Sequence, residues 1–327
     1  MSNVLVNDTS RSLTDFRGGF DQLAELMQRS WSENHASSFL YSSSYLESCF
    51  QQPGASYTLA PTIYHGNDPV GFVAGFPRSI RYKERTWRIL LITLLTVAPE
   101  HKKLGYGIIL WSELVKRARE SGFDGMMNYC VDGEPMNGMI VGCCDRMHLP
   151  VERVFTVNYL TSILWPKAAD CQSSTKVDSS DCLLETCNSV SDLAELGRRW
   201  SAEEISWLRS REGTVVACHK EAQRSGALTG QIMSLTDESN TKALMVEDIL
   251  WGTLEREERI ILLKKLMALA SAHGARIVTV PLLGYADMDP FRAARFRPST
   301  RKLHAYFTLW RDPTSIEKVE SFYLDVF

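Results

Sequence analysis

Apolar residues recur every third or fourth position over residues 16–31, the pattern of a helix with one buried face. Residues 57–64 and 70–76 read instead as strands, joined by the turn His65-Gly66-Asn67-Asp68. Residues 87–97 follow, rich in Ile, Leu and Thr, a strand long enough to cross the centre of a sheet. A loop then leads into a helix over 108–120, a glycine stop at Gly122 and a strand over 125–131. The second half of the chain replays this order. Residues 214–219 and 227–235 read as a hairpin, 243–251 as a central strand, 259–272 as a helix and 276–282 as the next strand. Ile108-Ile109-Leu110 recurs as Ile260-Ile261-Leu262 at a spacing of 152 residues, and Gly122 recurs as Gly274 at the same spacing. The two halves also close alike, with FTVNYLTSILW over 155–165 and LHAYFTLW over 303–310. Shared order, register and ending point to an internal duplication.

Between the halves the chain turns to PKAADCQSSTKVDSSD, which is too polar to pack. The expected organisation is therefore a first domain over 1–166, a linker over 167–181 and a second domain over 182–327. A length of 327 residues agrees, since one compact core rarely grows that large. The hydrophobic share of 44% and charged share of 23% leave no case for disorder. A net charge of -3 argues against binding nucleic acid through bulk electrostatics. The most apolar run, 89–98, is only strand length, so no membrane span is expected. The polar amino terminus shows no signal peptide, which makes the expected location cytoplasmic. Eight cysteines without a C-x-x-C pair read as free thiols, and seven scattered histidines give no metal site.

The segment after the central strand of the first half carries the chemistry. It runs Pro99-Glu100-His101-Lys102-Lys103-Leu104-Gly105-Tyr106-Gly107 and enters the helix directly. Strand, glycine loop and helix make an anion site: the first helical N–H groups lack internal partners, the helix dipole adds positive charge, and glycines remove Cβ atoms that would hold a phosphate away. A Walker loop would need Gly-Lys-Ser/Thr where Gly107-Ile108-Ile109 stands. A dinucleotide fingerprint would need a glycine at Leu110. Both are excluded.

Val97-Ala-Pro-Glu-His-Lys102-Lys-Leu-Gly105-Tyr-Gly107 resembles the acyl-CoA-binding loop of the GCN5-related N-acetyltransferase (GNAT) superfamily, Gln/Arg-x-x-Gly-x-Gly/Ala after a strand ending Val-x-Pro-Glu. Lys102 departs from the pattern but keeps the charge. The resemblance covers residues 68–165 and implies an α/β fold, a mixed and largely antiparallel sheet flanked by helices, in two tandem GNAT-like acyltransferase domains. It implies acetyl-CoA or another acyl-CoA as donor. Leu95 and Val97 would then bond the pantetheine arm, Lys102, Lys103, Leu104, Gly105, Tyr106 and Gly107 would hold the pyrophosphate, and Asn137 would add a donor contact. At the 152 spacing the loop is lost from the second half, where Gly105 becomes Glu257 and Gly107 becomes Arg259. Carboxylates there would repel a pyrophosphate. The second half is thus expected to bind no coenzyme A, and either to bury a shared face and help wall the acceptor pocket or to serve a purely structural role. It keeps Asp289-Pro-Phe-Arg-Ala-Ala-Arg-Phe-Arg-Pro298, which resembles the family's segment before its closing strands.

The family's acid for the departing thiolate is a tyrosine seven residues after an asparagine. With Asn137 in the asparagine place, Cys144 takes the tyrosine place and His148-Leu149 stands where Gly-Phe is usual. Cys144 is therefore read as acid, as a nucleophile activated by His148, or as a small buried hydrophobe. Tyr129 is the second acid candidate. The expected reaction is acyl transfer, acetyl by the family's habit, to the amine of a small molecule or amino acid derivative. Two alternatives stand beside it. One is transfer on an aminoacyl-tRNA, for which the basic run Arg78, Arg81, Lys83, Arg85, Arg88 leaves room, and the other is acyl-CoA binding without chemistry.

Overall fold

The computed structural model describes residues 11–32, 39–164, 180–221, 224–235, 241–311 and 316–324. The chain opens with strand β1 (Arg11–Asp15), helix α1 (Phe20–Ser32), the short strand β2 (Phe39–Leu40) and helix α2 (Ser43–Phe50). Tyr57–Leu59, expected as the start of a strand, is a 3-10 turn, because the Ser56 side chain accepts from Thr58 N–H and closes it. The strand itself, β3 (Pro61–His65), begins after it, and is followed by β4 (Asp68–Tyr82), β5 (Arg85–Val97), α3 (Tyr106–Glu120), β6 (Gly125–Val131), α4 (Pro135–Arg146) and β7 (Glu152–Ile163). β4 outruns its expected end at 76 because half-buried and buried positions keep alternating from Pro77 to Tyr82, the period of a strand. Most of the expected linker lies outside the described residues; helix α5 (Ser180–Leu193) already occupies its last two positions. Then come β8 (Leu196–Arg199), α6 (Ala202–Ser210), β9 (Thr214–Glu221), β10 (Arg224–Leu235), β11 (Lys242–Leu250), α7 (Arg256–Ala272), β12 (Ala275–Leu282), α8 (Asp289–Ala293), β13 (Arg297–Leu309) and β14 (Phe322–Tyr323).

All the described strands join one sheet, antiparallel except at β5/β6, β11/β12 and the short β8/β14 pair. Its order reads the same from either end: β3-β4-β5-β6-β13 on one side is matched by β9-β10-β11-β12-β7 on the other, with β13 and β7 antiparallel at the centre. The closing strands are exchanged. β7, from the first half, pairs with β12, and β13, from the second, pairs with β6. Each half thus completes the other's share of the sheet.

The main core gathers α1, α2 and α3 residues such as Leu26, Leu46 and Leu110 over β4–β6, and it reaches Met233 and Met245 of the second half. A matching core lies under α7, with Leu262 and Leu266 on Leu244 and Val278. A third joins Ile89 and Met127 to Val157, Leu303 and Phe322 across the exchanged strands. No helix among the described residues is long and apolar enough to cross a membrane.

Candidate active site

β5 and β6 run parallel and pair from Ile89/Gly125 to Ile92/Asn128 only. Beyond Ile92 the edge of β5 that faced β6 has no strand against it. There β5 bulges, with Leu94 and Leu95 together opposite the single β4 residue between Phe72 and Ala74. Leu94 has φ 58°, a left-handed conformation that costs a leucine about 1–2 kcal/mol. Backbone strain of that kind collects at functional sites. Ala98 N–H donates to Val70 O, so by the alternation of an antiparallel ladder Val97 turns its main-chain groups to the open edge. The Val97 carbonyl there accepts from Ser30 Oγ at 2.8 Å.

The loop follows at once. Pro99–Leu104 forms a 3-10 turn, Gly105 takes φ 76°, and α3 starts at Tyr106. Gly105 is required by that left-handed angle. Ile108 and Ile109 both donate to Gly105 O at 3.1 Å, so the helical ladder begins with them and the amides of Tyr106 and Gly107 precede it. No side chain caps this terminus. A Cβ added at Gly105 would meet nothing within 4 Å, and one at Gly107 would meet only Met139 Sδ at 3.6 Å and Leu95 Cδ2 at 4.0 Å. Gly107 therefore floors a throat between the bulged edge of β5 and α4. Lys102, Lys103 and Leu104 are exposed beside it, and Lys102 Nζ donates to Ser30 O at 3.2 Å. Open amides, helix dipole and two lysines suit a diphosphate.

The corresponding helix of the second half starts differently. Glu255 and Glu258 form a reciprocal capping box there, with Glu255 N–H donating to Glu258 Oε2 at 2.8 Å, so two carboxylates stand at the amino terminus of α7 where α3 has none. Arg224 binds both acids, at 2.7 and 3.2 Å. The cap sits two residues before the position that a constant spacing of 152 gives, because α7 is longer at its start than α3.

The remaining sequence candidates are placed differently from expectation. Asn137 Nδ2 donates to Val131 O at 2.7 Å and Glu134 O at 3.0 Å, and its Oδ1 accepts from Tyr306 hydroxyl at 3.2 Å. It braces the turn from β6 to α4, and both its donors are committed there instead of to a ligand. Cys144 is fully buried, its nearest polar partner is Thr308 Oγ1 at 3.9 Å, and burial pushes its thiol up to about 11. A thiol so held is neither a ready acid nor a thiolate. His148, expected to activate it, instead ends α4 at φ 52°, with Leu149 N–H reaching back to Cys144 O. Arg295 does the same for α8 at φ 65°, with Phe296 N–H on Phe291 O, so both halves place a non-glycine residue in the left-handed stop. Tyr129 lies on β6 just past the last β5 pair and packs edge-on against Phe322 at 6.2 Å. Glu100 pairs with Arg29, and His101 stacks on Tyr106.

Sequence reasoning missed a cavity of about 50 Å³ between the halves. β5 lines it with Leu91, Thr93 and the strained Leu94, and β11 faces them with Glu247 and Asp248. Glu247 is the extra residue of a second bulge, between Asp248, opposite Thr229, and Val246, opposite Gly230. Tyr41, Tyr45 and Cys49 add neutral hydroxyl and thiol donors; burial pushes Tyr41 up to about 12 and Cys49 up to about 11. Trp207 lines it too and donates Nε1 across to Ser48 O at 2.7 Å. The one sequence signal was the acidic doublet Glu247-Asp248 inside the apolar run ALMVEDILW.

Residues 20–138, which hold the bulged strand, the open loop and α3, match the acetyltransferase (GNAT) family. That stretch, about a third of the chain, is similar to the GNAT family. Over nearly its whole length the chain is also similar to Saccharomyces cerevisiae N-myristoyltransferase with bound myristoyl-CoA, at 12% identity and a TM-score of 0.74, covering 97% of this chain and 86% of that one. A GCN5-related N-acetyltransferase from Kribbella flavida aligns at 14% identity and a TM-score of 0.53, covering 91% of this chain and 71% of that one. These structural likenesses show the fold. No curated protein matches the sequence. The matched stretch includes the open loop and both parallel strands that part beside it.

Proposed function

We propose that the protein transfers an acyl group from an acyl-CoA to an amine, with the donor held by the first half and the acceptor admitted between the halves. The observation that carries this reading is the contrast between the two helices, α3 starting with no side-chain cap and no acid in its first turn, and α7 starting with the carboxylates Glu255, Glu257 and Glu258, which would repel a diphosphate. In this account the pyrophosphate lies on the Tyr106 and Gly107 amides with Lys102 and Lys103 beside it, and the pantetheine arm follows the Leu95–Val97 edge. The thioester then reaches the bulge at Leu94, at the mouth of the cavity. The amine attacks the thioester carbon there: a C–N bond forms, the C–S bond breaks, and coenzyme A leaves as a thiol with one proton. Its thiolate needs little help, since the parent thiol has a pKa of about 8.5. This suits a site in which Cys144 is inert. The domains we propose are a donor half over 1–166 and a half over 182–327 that walls the acceptor site.

Of the basic run that leaves room for a tRNA acceptor, Arg78 is buried and Arg81 half-buried, while Lys83, Arg85 and Arg88 are exposed. Arg78 donates to Gln52 and Pro77, Arg81 to Ser191 O, and Arg88 to Ser121 O, while Lys83 and Arg85 lie over Tyr82 and Trp87. We take a small amine as the acceptor, in keeping with the chain's net charge of -3. Release of free coenzyme A thiol tests the proposal, using acyl-CoA donors from acetyl to myristoyl with a panel of amines and amino acids. Release that needs both donor and amine is expected; coenzyme A binding with no release for any pair would leave only a binding module.

A further inference from the structure

The sheet ends on β1, and among the described residues no strand lies against the far edge of that strand. The ladder to β3 fixes which main-chain groups the edge presents. Phe16 N–H donates to Ala60 O, in the register that sets Thr14 opposite Thr62 and Ser12 opposite Tyr64. Ser12 and Thr14 therefore bond inward, and by the alternation of an antiparallel ladder Arg11, Leu13 and Asp15 turn their N–H and C=O groups outward. Edges of this kind pair with further strands unless something blunts them. No proline or bulge interrupts β1, and its two charges stand at its ends with opposite sign.

The side chains of the same three residues share one face, the face beside α3. Arg11 lies over the Tyr106 ring at 4.8 Å, Asp15 pairs with Arg117 at 2.7 Å, and Leu13 lines a groove with Ile108, Ile109 and Met147. Leu13, Ile108 and Ile109 are 38%, 37% and 45% exposed, an apolar strip on a surface otherwise rich in charge. The order Arg-x-Leu-x-Asp is its own complement when reversed. Two copies of β1 run antiparallel about a two-fold axis at Leu13 set Arg11 opposite the partner's Asp15, Leu13 opposite the partner's Leu13 and Asp15 opposite the partner's Arg11. All of these are outward-facing residues, so each opposed pair exchanges two main-chain hydrogen bonds, with opposite charges facing at both ends. Sliding the strands by two residues sets Leu13 against a charge, sliding by one sets outward groups against inward ones, and parallel pairing sets like charges side by side. We propose that this edge is a homodimer interface, in which β1 of two chains joins their sheets across a two-fold axis and the strips of Leu13, Ile108 and Ile109 meet beside it. The proposal stands on the edge alone and not on the acyl-transfer reading.

Light scattering on the full chain from about 1 to 200 µM covers a micromolar association, and the mass should rise from one chain toward two. Leu13→Pro removes the N–H at the axis, and proline is tolerated where an edge N–H faces solvent, so the fold should persist while association weakens at least about tenfold. Arg11→Asp and Asp15→Arg should each weaken association by setting like charges opposite, and the double variant Arg11→Asp/Asp15→Arg should recover it. If a variant does not fold, hydrogen exchange on the unaltered protein decides: the Leu13 and Asp15 amides should gain at least about tenfold protection from the dilute to the concentrated end. A single-chain mass at every concentration, association that survives Leu13→Pro, a folded double variant no better than either single one, or amides that gain no protection would overturn the proposal and leave the edge to a different occupant.

Discussion

Gly107 separates two reasons for a glycine, because nothing in the protein crowds its missing Cβ and its neighbours Leu95 and Met139 leave a throat above it. Leucine there suits the helix better than glycine by about 0.8 kcal/mol. Gly107→Leu should therefore keep or raise the melting temperature while lowering coenzyme A affinity at least about a hundredfold, as read by calorimetric titration; donor affinity that survives would move the pantetheine route elsewhere. Cys144 gives the opposite kind of test. Its thiol ionises near 9.0 when unfolded and is pushed up to about 11 by burial, so the folded state resists its ionisation. That stabilises the fold below pH 9 and is lost as pH rises from 9 toward 11. Urea midpoints should fall over that window in the unaltered protein and fall less steeply in Cys144→Ala, whose acyl transfer should be unchanged. The loop glycines were legible in the sequence because backbone geometry dictates them. The cavity lining was not, since it comes together from β5, β11 and other elements far apart in the chain, and only the acidic doublet Glu247-Asp248 inside an apolar strand hinted at it.

At the scale of elements, α4 shows how a motif position can outlive its chemistry. His148 stands where the family places glycine, and its φ of 52° strains it. His148→Gly should raise stability by about 1 kcal/mol with transfer activity intact, measured by denaturant unfolding and thiol release. A loss of activity would return His148 to the mechanism. Asn137→Ala should cost about 1–3 kcal/mol, because Val131 O and Glu134 O lose their donor at the turn that seats α4. The helices and long strands were readable from their periodicity, and β6 falls on 125–131 as expected. The turn at Tyr57–Leu59 was misread as strand, since its apolar residues fit either pattern and a Ser56 cap decided it. Short pieces such as β8 and β14 have too few residues to carry a period, and they form only because each finds a partner strand.

For the whole molecule, the exchanged closing strands make the halves dependent. Without β13, β6 has no partner on that edge, and without β7, β12 has none. Residues 1–166 and 182–327 produced apart should be insoluble or poorly folded and should recover a folded pair when co-expressed, judged by circular dichroism and gel filtration. A well-folded first half alone would contradict the exchange. The repeated order was visible in the sequence through the 152-residue spacing, but the swap was not, because a closing strand reads alike whichever neighbour it joins. One measurement bears most directly on the account: calorimetric titration of the intact protein with coenzyme A, beside Gly107→Leu at matched stability. One site per chain, abolished in the variant, is the predicted result. Two equivalent sites, or a single site that the variant leaves unchanged, would contradict a donor cradle at the open end of α3.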